Sequence, residues 1–289
     1  MKILVAKETG FCFGAERASK LILSKKGKEK VFTLGPLVHN GEFIKYLETR
    51  NVFVASDLED IKSDKVAIRS HGVSKELEEE LKAKDFKLID ATCPYVKRVQ
   101  KLAEKLEKEG YKVLIFGETI HSEVQGIKSY APKAIIIKGI EDVKKIIKGS
   151  PDARQSKVGI SLGLKKIALI SQTTQNLEEF EKLASFLRAN YRNPKIFNTI
   201  CDATEKRQEA ARQLAKKVDI MIVIGGKNSS NTTRLKEICE EIVLTHHIEN
   251  EKELQKNWFL KVKSVGVTAG ASTPDFSIKA VLNRIKNYA

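Results

Sequence analysis

Short apolar runs alternate with amphipathic stretches along the chain, and the alternation repeats. Three segments share one layout: "FCFGAERASKLIL…KVFTLGPLVHN" from residue 11, "TCPYVKRVQKLAEKLEKEGYKVLIFGETIHSE" from residue 92, and "ICDATEKRQEAARQLAKKVDIMIVIGGKNSSN" from residue 200. Each opens with a cysteine, runs into apolar positions at helical spacing, and enters an apolar β-rich run that ends in glycine. The separations Cys12 to Gly35, Cys93 to Gly117 and Cys201 to Gly225 are 23, 24 and 24 residues. Four residues past each glycine stands a hydrogen-bonding side chain: His39, His121 and Ser229.

The second half of each segment repeats too. "KVAIRSHGVSKELEEEL", "KIALISQTTQNLEEFEKL" and "SVGVTAGASTPDFSIKAVL" each predict a strand, a polar loop and an amphipathic helix. Their loops carry His71, Thr173 with Thr174, and Ser272. A last strand leads to the next cysteine, "FKLIDATC" to Cys93 and "PKIFNTIC" to Cys201. The third segment has no such strand, and the start of the chain, "KILVAKETGFC", supplies it. The N-terminal strand is therefore expected to pair with the C-terminal domain.

Strands that alternate with helices predict parallel βαβ units. The expected fold is α/β: three similar small parallel-sheet lobes in a pseudo-threefold, trefoil arrangement around a central cluster cavity. The lobes span 12–92, 93–200 and 201–289, the third completed by strand 1–11. Ligands of such sheets bind beyond the carboxyl ends of the strands, and all the repeated polar residues fall there. Cys12, Cys93 and Cys201, separated by 81 and 108 residues, would then converge.

Three converging thiolates point to a metal site rather than a redox pair. Three cysteines on zinc want a fourth protein ligand for a closed site. A cubane iron–sulfur cluster held by three cysteines keeps one iron open. Around that centre, His39, His71, His121, Ser229, Ser230, Asn231 and Ser272 all offer hydrogen-bond donors. Imidazoles can protonate to meet an anion, and loops at helix N-termini add backbone N–H groups. The set suits a phosphate or diphosphate. Glu123 is the carboxyl among them and reads as a proton donor, its pKa raised by burial. Counted from the glycines, it corresponds to Gly41 and Asn231. Cys239, in "RLKEICEEI", reads as core, and His246 and His247, in "LTHHIEN", as a surface loop.

The net charge of +15 over 289 residues fits an anionic ligand. The basic residues are interleaved with glutamate, without a basic stripe carrying aromatics, so nucleic acid is not the expected partner. No apolar run approaches the ~20 residues of a membrane span, and the short apolar start reads as a strand. The expected setting is the cytoplasm. A Lys/Glu-rich surface with four Cys and two Met also fits a thermophile.

"GFCFGAERA", "HNGEF", "SHGVS", "DATCPYV", "HSEV", "SQTT", "KNSSNTTRL" and "TAGASTPD" together resemble the 4-hydroxy-3-methylbut-2-enyl diphosphate reductase (IspH/LytB) family, in order over nearly the whole chain. The resemblance implies a three-lobed α/β fold and the last step of the methylerythritol phosphate route to isoprenoids. It implies one [4Fe–4S] cluster per chain on Cys12, Cys93 and Cys201, with the substrate hydroxyl on the open iron and Glu123 as proton donor. It implies diphosphate binding by His39, His71, His121, Ser229, Ser230, Asn231 and Ser272, and substrate contact by Thr173, with Thr174 sharing that role or not. A ferredoxin- or flavodoxin-like protein would supply electrons. Two features depart from the family pattern. Ser122 stands where proline is common, and the stretch 149–166 is longer than usual, an expected surface excursion. The competing functions are a zinc-dependent hydrolase of a phosphorylated small molecule and a non-enzymatic phosphate-ligand binding protein.

Overall fold

The computed structural model describes residues 1–148 and 166–288. The expected excursion at 149–166 lies, but for Lys166, outside the described residues. Each of the three repeated cysteines directly precedes a helix. Helix α1 (Phe13–Lys25) is capped by Cys12, whose sulfur accepts the Ala15 N–H at 3.4 Å. Helix α4 (Pro94–Lys108) opens on a proline, whose missing N–H costs nothing at a first helical position. Helix α8 (Asp202–Ala215) opens on an aspartate, whose charge suits the positive end of the helix dipole.

Three four-stranded sheets follow one plan, and all their neighbouring strands run parallel. The first contains β2 (Val31–Leu34), β3 (Val52–Ala55), β4 (Lys65–Ile68) and β5 (Lys87–Asp90), in the order β3-β2-β4-β5. The second contains β6 (Lys112–Phe116), β7 (Ile135–Ile137), β8 (Ile167–Ser171) and β9 (Lys195–Ile196), in the order β7-β6-β8-β9. The third contains β10 (Ile220–Ile224), β11 (Thr245–Ile248), β12 (Ser264–Ala269) and β1 (Lys2–Val5), in the order β11-β10-β12-β1. The chain's first strand thus occupies, beside β12, the place that β5 and β9 hold in the other sheets. The central strands β8 and β10 are buried at every position, as continuous apolar runs require in parallel sheets.

The repeat pattern names three strands per segment, and the structure adds to each an edge strand with a helix before it, and to the second a further helix after it. The helices before the edge strands are α2 (Gly41–Glu48), α5 (Ser122–Tyr130) and α9 (Ser230–Glu240), and the strands are β3, β7 and β11. Consequently His246 and His247 belong to a strand and not to a surface loop. Pairing with β10 fixes their backbone. His246 stacks on Trp258 with ring centroids 3.8 Å apart, and His247 Nε2 lies 2.8 Å from the Gly225 carbonyl oxygen.

The described residues divide into two compact units. One comprises 1–70, 84–93 and 202–289 and holds the first and third sheets; the other comprises 71–83 and 94–201 and holds the second. In the first unit, α1 and α2 pack Ile22, Phe43 and Leu47 with Val31 and Ala67. Around the third sheet, α10 (Asp275–Lys286) covers one face with Ile278, Val281 and Ile285, and α8 and α9 cover the other, where Cys239 is fully buried as expected. In the second unit, α4 and α5 cover one face of the sheet, and α7 (Leu177–Asn190) covers the other with Phe180, Leu183 and Leu187. The remaining helices are α3 (Lys75–Ala83) and α6 (Ile140–Lys148). No helix among the described residues is long and apolar enough to cross a membrane.

Among the described residues Phe180 is the largest fully buried side chain. Phe180→Ala is expected to lower the unfolding free energy by about 3–5 kcal/mol, through lost transfer energy and the cavity left behind. The shift of the urea midpoint at unchanged slope measures it.

Candidate functional site

One hydrogen bond recurs at each repeated cysteine. Cys12 N–H donates to Ala271 O at 3.0 Å, Cys93 N–H to Ser70 O at 2.9 Å, and Cys201 N–H to Thr173 O at 3.1 Å. Each acceptor lies in the loop just past the strand that pairs with the one leading to that cysteine: β12, β4 and β8. The bond continues the parallel ladder past its end. It holds every cysteine beside the loop that carries Ser272, His71 or Thr173.

In the first unit, Cys12 and Cys93 meet at the first turn of α1. A Cβ on Gly14 would lie 2.8 Å from Cys93 Sγ and 3.7 Å from Cys12 Sγ. Glycine here lets Cys93 Sγ approach the start of α1, where any side chain would collide with it. Neither thiol is in a disulfide. Such a pair of soft donors at one helix start fits a thiolate-ligated metal or iron–sulfur group. Arg17 Nη1 donates to the Thr92 carbonyl at 3.2 Å and steadies the approach to Cys93.

The same unit carries His39, Ser229, Ser230, Asn231 and Ser272. Ser272 Oγ donates to His39 O at 3.1 Å, and Ala271 N–H donates to Asn231 Oδ1 at 2.9 Å. Asn231 is 3% exposed, and its Nδ2 donor has no partner among the described residues. A buried amide donor left unsatisfied costs about 1–3 kcal/mol, which a ligand acceptor would recover. Ser229 caps α9, its hydroxyl accepting the Thr232 N–H at 3.4 Å, and Ser230 is the first residue of that helix. Burial, and then the charge of Arg69, hold the His39 imidazole below its usual pKa. Without a bound anion, the neutral imidazole is therefore the favoured form at pH 7.

In the second unit, His121 caps α5. Its Nδ1 accepts the Glu123 N–H at 3.2 Å, which places the proton of the neutral ring on Nε2. His71 and His121 meet edge to face, ring centroids 5.6 Å apart. Glu123 is 1% exposed. Thr173 grips both of its carboxyl oxygens: the backbone N–H donates to Oε1 at 2.7 Å and the hydroxyl to Oε2 at 2.9 Å. Burial raises the Glu123 pKa, the two Thr173 bonds lower it, and the balance stands at about 7. The Thr174 hydroxyl accepts from Gln172 Nε2 at 2.8 Å. Thr173 thus joins a protonatable carboxyl on one side to the backbone of Cys201 on the other.

The helix starts change one internal correspondence. Glu123 is the second residue of α5, and the second residues of α2 and α9 are Glu42 and Asn231. Its counterpart in the first repeat is therefore Glu42 rather than Gly41. The shift arises because the Cys12 to Gly35 spacing is one residue shorter. The two glutamates differ by environment: Glu42 is partly exposed and reaches Lys45 at 3.6 Å, whereas Glu123 is sealed.

Sequence reasoning passed over Arg69, the first residue after β4, which is half-buried. Its signal was a lone arginine in "AIRSHG", immediately before a loop already singled out. A cavity of about 360 Å³ elsewhere in the second unit contains none of the candidate residues. Its charged groups pair with one another, Lys75 with Glu104 at 2.8 Å and Lys82 with Glu78 at 2.7 Å.

The family model described as "LytB protein" matches residues 3–286. A 4-hydroxy-3-methylbut-2-enyl diphosphate reductase of Campylobacter hominis is 44% identical, covering 99% of this chain and 98% of its own. One of Aquifex aeolicus is 43% identical, covering 98% and 96%. A solved structure described as (E)-4-hydroxy-3-methyl-but-2-enyl diphosphate reductase, the terminal enzyme of the non-mevalonate pathway, is 41% identical. It covers 99% of this chain and 100% of its own, with a TM-score of 0.68. The structure of the E-1-hydroxy-2-methyl-but-2-enyl-4-diphosphate reductase from Plasmodium falciparum is 26% identical, covers 98% and 87%, and has a TM-score of 0.86.

The raised pKa of Glu123 has a stability consequence. Between the unfolded value near 4.5 and the folded value of about 7, the native state holds a proton that the unfolded state has lost. Stability therefore falls as pH rises through that window, by about 3 kcal/mol at 1.36 kcal/mol per unit. Glu123→Gln is expected to remove this slope from urea titrations run across the window. Thr173→Val, which deletes a bond favouring the ionised form, is expected to raise the carboxyl pKa further, read by difference infrared spectroscopy.

Proposed function

The chain belongs to the LytB family, and we propose that it catalyses the reductive dehydroxylation of (E)-4-hydroxy-3-methylbut-2-enyl diphosphate to isopentenyl diphosphate and dimethylallyl diphosphate. In this reaction the allylic C–O bond breaks, a C–H bond forms, and two electrons and two protons enter as water leaves. Cys12, Cys93 and Cys201 are the ligands of one [4Fe–4S] cluster per chain. When bound, the cluster supplies the two electrons and an open iron that acts as a Lewis acid toward the hydroxyl oxygen. A ferredoxin- or flavodoxin-like protein is the electron source. Thiols kept for a cluster suit a cytoplasmic setting. The same reading keeps the three lobes at 12–92, 93–200 and 201–289 with 1–11.

The observation that carries this reading is Thr173. Its N–H and hydroxyl hold both oxygens of Glu123, and its carbonyl holds the backbone of Cys201. The proton donor and one cluster ligand are thus positioned by a single residue. Glu123 holds the proton that the departing oxygen takes. A pKa of about 7 keeps roughly half the carboxyl protonated at neutral pH, close to the optimum for a general acid. The Nδ2 of Asn231, the hydroxyls of Ser229, Ser230 and Ser272, and the imidazoles of His39, His71 and His121 hold the diphosphate.

Anaerobic turnover of the hydroxylated allylic diphosphate with an artificial reductant tests the proposal. Both isomeric products are expected; a colourless protein with one zinc and no sulfide would leave it without support. Glu123→Gln should keep the cluster absorbance and substrate binding and lose about 10²–10⁴ of turnover. In the parent enzyme, turnover should fall tenfold per unit above pH ~7, as the general acid loses its proton. Gly14→Ala should reduce iron and sulfide per chain with little change in far-ultraviolet circular dichroism, because its methyl would collide with Cys93 Sγ and displace that thiol. Ser at Cys12, Cys93 or Cys201 should abolish the cluster, whereas Cys239→Ser should spare it.

A further inference from the structure

A diphosphate brings two or more negative charges, yet the half of the site that includes His39 offers mainly neutral donors. Ser229, Ser230, Asn231 and Ser272 carry no charge, and His39 is neutral before the anion arrives. The first residue past β4 is a cation. Arg69 leaves its strand at the carboxyl end, the side on which parallel sheets receive ligands. Its guanidinium packs over Gly35, the first residue after β2; a Cβ on Gly35 would collide with it, and Gly35 has the positive φ of 71° that glycine accepts readily.

The next residue fastens the arrangement. Ser70 donates to Leu37 O from its hydroxyl at 2.8 Å and from its N–H at 3.4 Å. Arg69 and Ser70 therefore clasp the Gly35–His39 loop from one side, while Ser272 holds the His39 carbonyl from another. The guanidinium is half-buried, so solvent screens its field less than that of a surface lysine. Arginine stays charged at every physiological pH, and burial lowers its pKa without neutralising it.

We propose that Arg69 supplies the fixed positive charge with which the His39 loop receives the substrate's diphosphate. It acts as an electrostatic positioning residue and not as a catalytic one. The inference rests on the reading of this site as a diphosphate site. Arrival of the anion also opposes the burial and the Arg69 repulsion that together hold the His39 pKa down, and so favours the protonated imidazole.

The test uses the anaerobically purified, cluster-loaded enzyme and inorganic diphosphate as probe. Titration calorimetry should show Arg69→Gln binding about tenfold or more weakly, with Arg69→Lys recovering most of the loss. Proton NMR, with the His39 signal assigned through His39→Gln, should show the imidazole pKa rising in Arg69→Gln, a change that a purely structural role would not produce. Cluster absorbance should be unchanged in both variants. Arg69→Gln binding within twofold of the parent would overturn the inference, as would Arg69→Lys losing as much as Arg69→Gln. If the parent neither binds inorganic diphosphate nor turns over the allylic substrate, the diphosphate reading itself fails. If the parent binds and Arg69→Gln is indifferent, only the role of Arg69 fails.

Discussion

The N–H of each repeated cysteine is bonded to a carbonyl just past the end of a neighbouring strand, and the candidate chemistry depends on that bond. Each bond contributes only about 1 kcal/mol of net stability, so its importance is positional. The parallel ladder fixes where the two strands end. The bond then sets the cysteine's backbone at the top of the ladder, and a helix begins at the next residue. Thiol, helix N-terminus and ligand-side loop thereby arrive together, three times in one chain. The first strand, β1, matters for the same reason: pairing with β12 delivers Cys12 to Ala271 as β5 delivers Cys93 to Ser70.

Equivalent positions do not carry equivalent chemistry, and burial makes the difference. Glu42 and Glu123 occupy the same place at the start of their helices. One is partly exposed near a lysine, and the other is sealed and gripped at both oxygens by Thr173. For the second, desolvation and two hydrogen bonds oppose each other and leave the pKa at about 7. The same trade governs His39, where burial and Arg69 act together to keep an imidazole uncharged. Ordinary side chains thus acquire unlike protonation behaviour from what surrounds them.

Much of this was legible in the sequence because the repeat is long and its signals are strong. The cysteine-to-glycine spacing located the strands that became β2, β6 and β10, and the missing strand of the third repeat led to the pairing of β1 with β12. The edge strands β3, β7 and β11 were not legible. They have three or four residues each, and "THHI" carries two histidines where a strand pattern expects apolar residues. Stacking on Trp258 and the bond to Gly225 make them strand residues, and neither partner is near in sequence. Arg69 escaped for a similar reason: its meaning comes from Gly35 and His39, some 30 residues away. Counting from glycines misplaced the counterpart of Glu123 by one residue, because Gly35 stands one residue nearer its cysteine; counted from the cysteines, Glu42, Glu123 and Asn231 each lie 30 residues on.

The central claim is that Cys12, Cys93 and Cys201 act as one ligand set, leaving an open position beside the Glu123 proton. Mössbauer spectroscopy of the anaerobically purified, iron-57-labelled protein addresses it most directly. The account predicts a [4Fe–4S] cluster with one iron distinct from the other three, whose signal changes when the allylic substrate is added. Four equivalent, substrate-insensitive irons, or a cluster that survives replacement of any one of the three cysteines by serine, would contradict it.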